Sequence, residues 1–97
     1  MKQVFYGTIV EVQKVFINRS DKRQQTILIR DKDDNRIKRL TLFEDLVNIF
    51  LSGTDKGVYY FEFIIRETYG VNGEKIIYYN VISFKKVRNV LMDKITI

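Results

Sequence analysis

Cysteine, histidine, proline and tryptophan are all missing from the 97 residues, and only five are glycine. Without cysteine there is no disulfide, no thiolate nucleophile and no cysteine-held zinc or iron–sulfur centre. Without histidine the chain lacks the side chain that most often moves protons or binds transition metals near neutral pH. No nucleophile–base pair is visible in what remains, so no catalytic residue, cofactor or metal ion is expected and the chain reads as a binding module, not an enzyme. No apolar run approaches the ~18–20 residues of a membrane span. Met1-Lys2-Gln3-Val4 alternates into strand-like sequence instead of opening an export signal. No membrane partner and a cytoplasmic location are therefore expected.

What is present is a basic, ordinary globular composition. Seventeen Lys and Arg against twelve Asp and Glu give a net charge of +5, and 45% of residues are hydrophobic and 13% aromatic. The length allows a single domain over residues 1–97, with its core in about 3–85.

Residues 3–17 are rich in β-branched and aromatic side chains and carry no helix punctuation, so they read as one long strand. Gly7 inside that run marks an expected bulge or bend. A polar loop follows over residues 18–25, then a strand at 26–30, an acidic turn at 31–35 and a strand at 36–43. In that third strand Lys38, Leu40 and Leu42 share one face, with Arg39 and Thr41 on the other. Glu44 to Leu51 places Leu46, Val47, Phe50 and Leu51 on one face of a short helix, with Glu44 and Asp45 at its positive end and Ser52-Gly53 as its stop. Residues 58–69 form a fourth strand, Asn72-Gly73 a hairpin turn, and residues 75–84 the returning strand. The segment from Lys85 to Ile97 is basic and apolar, and its pattern fits a short helix, an added strand or a subunit contact. Val87, Val90, Leu91 and Met92 would supply such a homo-oligomeric contact.

Three strands, a short helix and a two-stranded hairpin give an expected all-β fold with one short helix. The order fits a five-stranded OB-fold Greek-key barrel with the helix between strands 3 and 4. Closure also removes the sticky edges that strands so rich in Tyr, Phe, Ile and Val would expose in an open sheet. An SH3-like barrel and an open α+β sheet are the rival architectures.

Three passages carry a resemblance. Leu40-Thr41-Leu42-Phe43-Glu44-Asp45-Leu46 looks like the third-strand-into-helix passage of OB-fold nucleic-acid-binding domains. Lys56-Gly57-Val58-Tyr59-Tyr60-Phe61 looks like their entry to strand four, and Val71-Asn72-Gly73-Glu74 like their hairpin loop between strands four and five. Over about residues 3–85 the chain thus resembles the small single-stranded-DNA-binding proteins of phages and mobile genetic elements. Bacterial single-stranded-DNA-binding proteins typically end in an acidic tail that recruits partners. The residues here run Lys94-Ile95-Thr96-Ile97, so recruitment of partners through such a tail is not expected.

OB folds bind oligonucleotides across strands two and three and the adjoining loops. Eight of the 17 basic residues fall between Arg19 and Arg39, against four acidic ones. Arg19, Lys22 and Arg23 lie in the first loop, and Arg30, Arg36, Lys38 and Arg39 in strands two and three and their turn. These are the expected phosphate contacts, with Lys75 in the hairpin. Phe16 and Tyr69 are the expected stacking rings, whereas Tyr6, Tyr60 and Tyr79 are expected to pack, and Phe43, Phe61, Phe63, Phe84 and Tyr59 to form core. Asp31-Lys32-Asp33-Asp34-Asn35 imitates the start of a calcium loop, but Arg36 stands where glycine is needed and Leu42 where a bidentate glutamate is needed. A polar turn accounts for it. The expected partner is single-stranded DNA, with RNA as a close variant. A protein-interaction or assembly module on the same scaffold is the reading from another class.

Overall fold

A computed structural model describes residues 3–50 and 57–89, the side chains of residues 88 and 89 excepted. It is nearly all-β. The strands are β1 (Gln3–Val12), β2 (Phe16–Ile17), β3 (Arg23–Asp31), β4 (Ile37–Phe43), β5 (Gly57–Tyr69) and β6 (Lys75–Asn89). They form one mixed sheet in the order β1-β5-β6-β4-β3-β2, and an additional β1–β3 pairing joins the two halves into a ring of hydrogen bonds. Every pairing is antiparallel except β4 with β6, which meet in parallel at Thr41 and Asn80.

The first strand serves both halves of the ring. Its residues Gln3–Thr8 pair with β5 and Gly7–Val12 pair with β3, so Gly7 and Thr8 face partners on both sides. Gly7 is needed for close approach: a Cβ there would stand 2.1 Å from the Arg30 carbonyl oxygen. The expected bulge falls at Val10 instead, where the β1–β3 register slips by one residue. A second slip follows. After the Gln13 N–H to Thr26 carbonyl bond, Phe16 pairs with Gln24 and Ile17 with Arg23. The expected strand over residues 3–17 is therefore one ladder against β3, bent by two one-residue slips and interrupted before β2. The polar loop shrinks to residues 18–22, because Asn18 accepts hydrogen bonds from the Ser20 and Lys22 N–H groups and closes the turn early.

The core fills the ring. Ile27, Ile29, Leu40, Leu42 and Phe61 are fully buried, with Tyr59, Phe63, Val81, Val47 and Phe50 close behind. Phe50 meets Tyr59, Phe61 and Phe84 edge-on at 5.3, 5.8 and 4.9 Å between ring centroids. Each such side chain contributes about 1.5–3 kcal/mol on burial. The core assignments of Tyr59, Phe61 and Phe63 hold, while Phe43 and Phe84 are half-buried.

One element must be corrected. In place of the helix expected over residues 44–51, there is a single 3-10 turn, Glu44–Leu46, followed by Val47 in extended conformation. Phe43 offers no side-chain cap, and Glu44 and Asn48 take positive φ values of 51° and 62°. So short a segment, uncapped and carrying β-branched Val47 and Ile49, does not repay helix nucleation. Val47 and Phe50 reach the core all the same. Leu51, Ser52 and Gly53 lie outside the described residues.

Strands β5 and β6 form a long ribbon, paired from Gly57↔Asn89 to Tyr69↔Lys75. At ~3.3 Å per residue, thirteen residues of β5 span about 43 Å, most of the 52 Å long axis of the molecule. β1 accompanies β5 only as far as Phe63, and β6 slips register at Ile82, just past Asn80, its meeting point with β4. The tip is a hairpin closed by bonds from the Gly73 N–H to the Gly70 carbonyl and from the Gly70 N–H to the Glu74 carbonyl. Gly73 sits at φ +79°, so glycine supplies the left-handed position after a type I turn. The segment expected to follow residue 84 continues β6 to Asn89; the remainder, including Val90, Leu91 and Met92, lies outside the described residues.

Candidate functional site

Antiparallel pairing places partners on the same face, so the registers fix which side chains share the outer surface of β2–β3–β4. Four rows cross it. Phe16, Gln24 and Phe43 form one, Thr26 and Thr41 the next, Leu28 and Arg39 a third, and Arg30 and Ile37 the last; the two threonines are buried, and the rows on either side of them carry the exposed side chains. Phe16 is 49% exposed. Arg39 is exposed and forms no ion pair among the described residues. Arg30 is exposed, with one guanidinium nitrogen donating to the Asn35 carbonyl at 3.2 Å. Three of the expected residues thus share one surface: an aromatic ring at one end and two arginines toward the other.

Arg19 and Lys22 lie on the β2–β3 turn at the Phe16 end, both exposed. Arg36 is exposed on the β3–β4 turn at the Arg30 end. That turn is held by the Asn35 N–H on the Asp31 carbonyl and the Asp33 N–H on the Asp31 carboxylate, each at 2.8 Å. It forms the polar connection expected from the acidic run.

Three other expected cations are committed elsewhere. Lys38 has the parity of Leu40 and Leu42, away from the outer face, and its ammonium donates to Asp34 Oδ2 at 2.8 Å. It also lies 5.5 Å from the centre of the Phe5 ring. The Lys38 hydrogen bond, reinforced by the Arg36 N–H, holds the Asp34 carboxyl below its ordinary pKa; reciprocally, Asp34 raises that of Lys38. Arg23 has the opposite parity to Phe16 and pairs with Glu44 at 4.0 Å, while its backbone N–H bonds Glu44 Oε1 at 3.1 Å. Lys75 pairs with Glu67 at 3.0 Å. Tyr69, its register partner at the ribbon end, is 69% exposed.

A groove of about 320 Å³ opens along the edge of this face, where β4 and β6 run side by side. Arg39 and Thr41 line one wall and Ile76, Ile77, Tyr78 and Tyr79 the other. The rings sort themselves by partner. Tyr6 stacks on Tyr60 at 4.6 Å, and Tyr79 packs edge-on against Phe5 and Phe63 at 5.3 and 5.2 Å, in keeping with the packing expected of all three. Tyr78, 39% exposed, makes no ring contact with another aromatic residue among those described. The β6 wall is absent from the expected site. Its signal was the non-alternating run Ile76-Ile77-Tyr78-Tyr79, apolar on both faces of a strand whose neighbours are polar.

Among the described residues no cluster of three acidic side chains could hold a metal ion, and no helix is long and apolar enough to cross a membrane. No protein-family model matches this chain, and no curated protein matches it either.

Proposed function

We propose that this chain is a sequence-tolerant single-stranded-DNA-binding protein built on an OB-type barrel. The ring β1-β3-β4-β6-β5 supports the OB reading. The first strand is shared between both halves, and the last inserts between the fourth and the third, parallel to the third, as a Greek-key path requires. Here β1 with its continuation β2 is the first strand of the barrel, and β3 and β4 are the second and third.

The observation that carries the function is the shared outer parity of β2–β3–β4, with exposed Phe16 at one end, Arg39 and Arg30 exposed toward the other, and the buried Thr26–Thr41 row between them. Arg19, Lys22 and Arg36 flank it on the turns at its two ends. A single strand laid across such a face meets cations at its phosphates and a flat ring for its bases, the pairing that sequence-tolerant binding requires. Displacement of condensed counterions supplies most of the affinity and makes it salt-dependent.

Retention on single-stranded-DNA cellulose tests the reading. The native chain is retained at low salt, and reversing Arg30 and Arg39 to glutamate abolishes retention. The charge-matched control, Lys85→Glu with Lys86→Glu beside Tyr60 and Tyr59 on the β5–β6 side, remains bound. Equal retention of the arginine variant and the control would remove the outer face from consideration.

A further inference from the structure

The described residues contain one buried side-chain polar atom without a hydrogen-bond partner, Asn80 Oδ1. Asn80 is 8% exposed. It sits at the parallel seam, as the register partner of Thr41 and the chain neighbour of Tyr79, and both of those residues line the groove. A buried amide oxygen left unpaired destabilises the folded chain, and one beside a roomy groove has an evident role when a ligand donates to it. The groove volume lies at the small end of ligand sites, enough for a small ring system. Its lining is mixed in a particular way: an arginine at the rim, an uncommitted tyrosine ring and aliphatic walls, with the orphaned Asn80 acceptor buried at the seam next to the lining residues Thr41 and Tyr79.

We propose that this groove is a slot for one unpaired nucleobase of the bound strand. The base lies against Tyr78 and the aliphatic wall of Ile76, which share one face of β6 with Asn80; a base N–H donates to Asn80 Oδ1, and Arg39 holds the adjoining phosphate. The slot rests on the single-stranded-DNA reading above and adds to it a site that takes a base out of the strand's own stack. Phosphate contacts on the outer face are indifferent to whether a base is present. The slot is not, and that difference makes it measurable.

Fluorescence anisotropy with a short oligothymidylate, and with the same strand carrying abasic residues throughout, separates the contributions. The native chain binds the base-bearing strand more tightly than the abasic one. Tyr78→Ala lowers affinity for the base-bearing strand about tenfold and leaves abasic binding unchanged, while Tyr78→Phe keeps the native ratio. Asn80→Leu removes the orphaned oxygen, so its melting temperature is at least that of the native chain, yet its preference for the base-bearing strand falls. If Tyr78→Ala and Asn80→Leu both keep the native preference, the slot is overturned and the outer-face reading stands. If the native chain binds neither strand, the outer-face reading fails, and the slot with it.

Discussion

Two glycines show how differently a missing side chain can be used. At Gly7 an added Cβ would collide with a backbone carbonyl of the neighbouring strand, and a ladder paired on both sides cannot move aside. At Gly73 a Cβ would meet nothing within 4 Å, but the φ of +79° is strained for any L side chain. Gly7→Ala should therefore cost about 2–3 kcal/mol and Gly73→Ala about 1 kcal/mol, read from urea midpoints. Equal costs would mean that the close approach at Gly7 relaxes freely. The Asp34–Lys38 pair makes a second prediction at this scale. A carboxyl held below its ordinary pKa stabilises the fold above the carboxylate range, and this is lost as pH falls through the lowered value. The raised lysine contributes fully below its ordinary value and loses that contribution as pH rises through the raised one. Asp34→Asn should thus be less stable than the native chain at neutral pH and converge with it as pH falls through the lowered carboxyl value. A gap that persists in acid would assign the effect to something other than the ion pair. The parity of Lys38 was legible beforehand, since the period of two already puts it with Leu40 and Leu42. What the pattern does not encode is that Asp34, four residues back, folds over the turn to meet it.

At the scale of elements, the strands and the hairpin were readable because period-two patterning and the Asn-Gly signal are local. The expected helix was not, for a reason its side chains explain. Leu46, Val47 and Phe50 suit one helical face equally well as an extended segment that drops Val47 and Phe50 into the core. What decides between them is a tertiary contact. Gln25, 2% exposed on β3, accepts the Asn48 N–H at 2.8 Å and donates to the Gln13 carbonyl at 2.8 Å. One amide thereby ties the segment after β4 to the end of β1, across 23 residues in one direction and 12 in the other. Gln25→Leu should destabilise by about 1–3 kcal/mol, since both backbone groups lose a partner in a part-buried setting. Gln25→Glu, which keeps the acceptor for Asn48 but sets a buried carboxylate oxygen against the Gln13 carbonyl, should cost at least as much at neutral pH and recover in acid as the carboxyl is protonated. An urea midpoint for Gln25→Leu within error of the native value would show that water replaces both bonds without loss.

At the scale of the whole molecule, closure of the strands into a ring does to the charges what no local pattern reveals. The sequence concentrates basic residues between Arg19 and Arg39, but only pairing registers separate those that reach the outer surface from those spent internally. Arg23 and Lys38 are held by Glu44 and Asp34, whereas Arg19, Lys22, Arg36 and Arg39 keep no carboxylate partner among the described residues, and Arg30 gives its hydrogen bond to a neutral carbonyl. About four phosphates are therefore available to be neutralised at one time along a strand crossing this face. For single strands log K falls with log salt at about −0.7 per phosphate, a slope of about −2.8 here. Raising salt fourfold, from about 50 to 200 mM, should weaken binding roughly fiftyfold. Neutralising Lys38 should change that slope little, because its charge is already answered by Asp34; neutralising Arg39 should reduce the slope by about 0.7. A salt titration of tyrosine fluorescence quenching reads all three slopes. Should neutralising Lys38 flatten the response as much as neutralising Arg39, the phosphates run past the interior-parity side of β4, and the outer face is not where the strand lies.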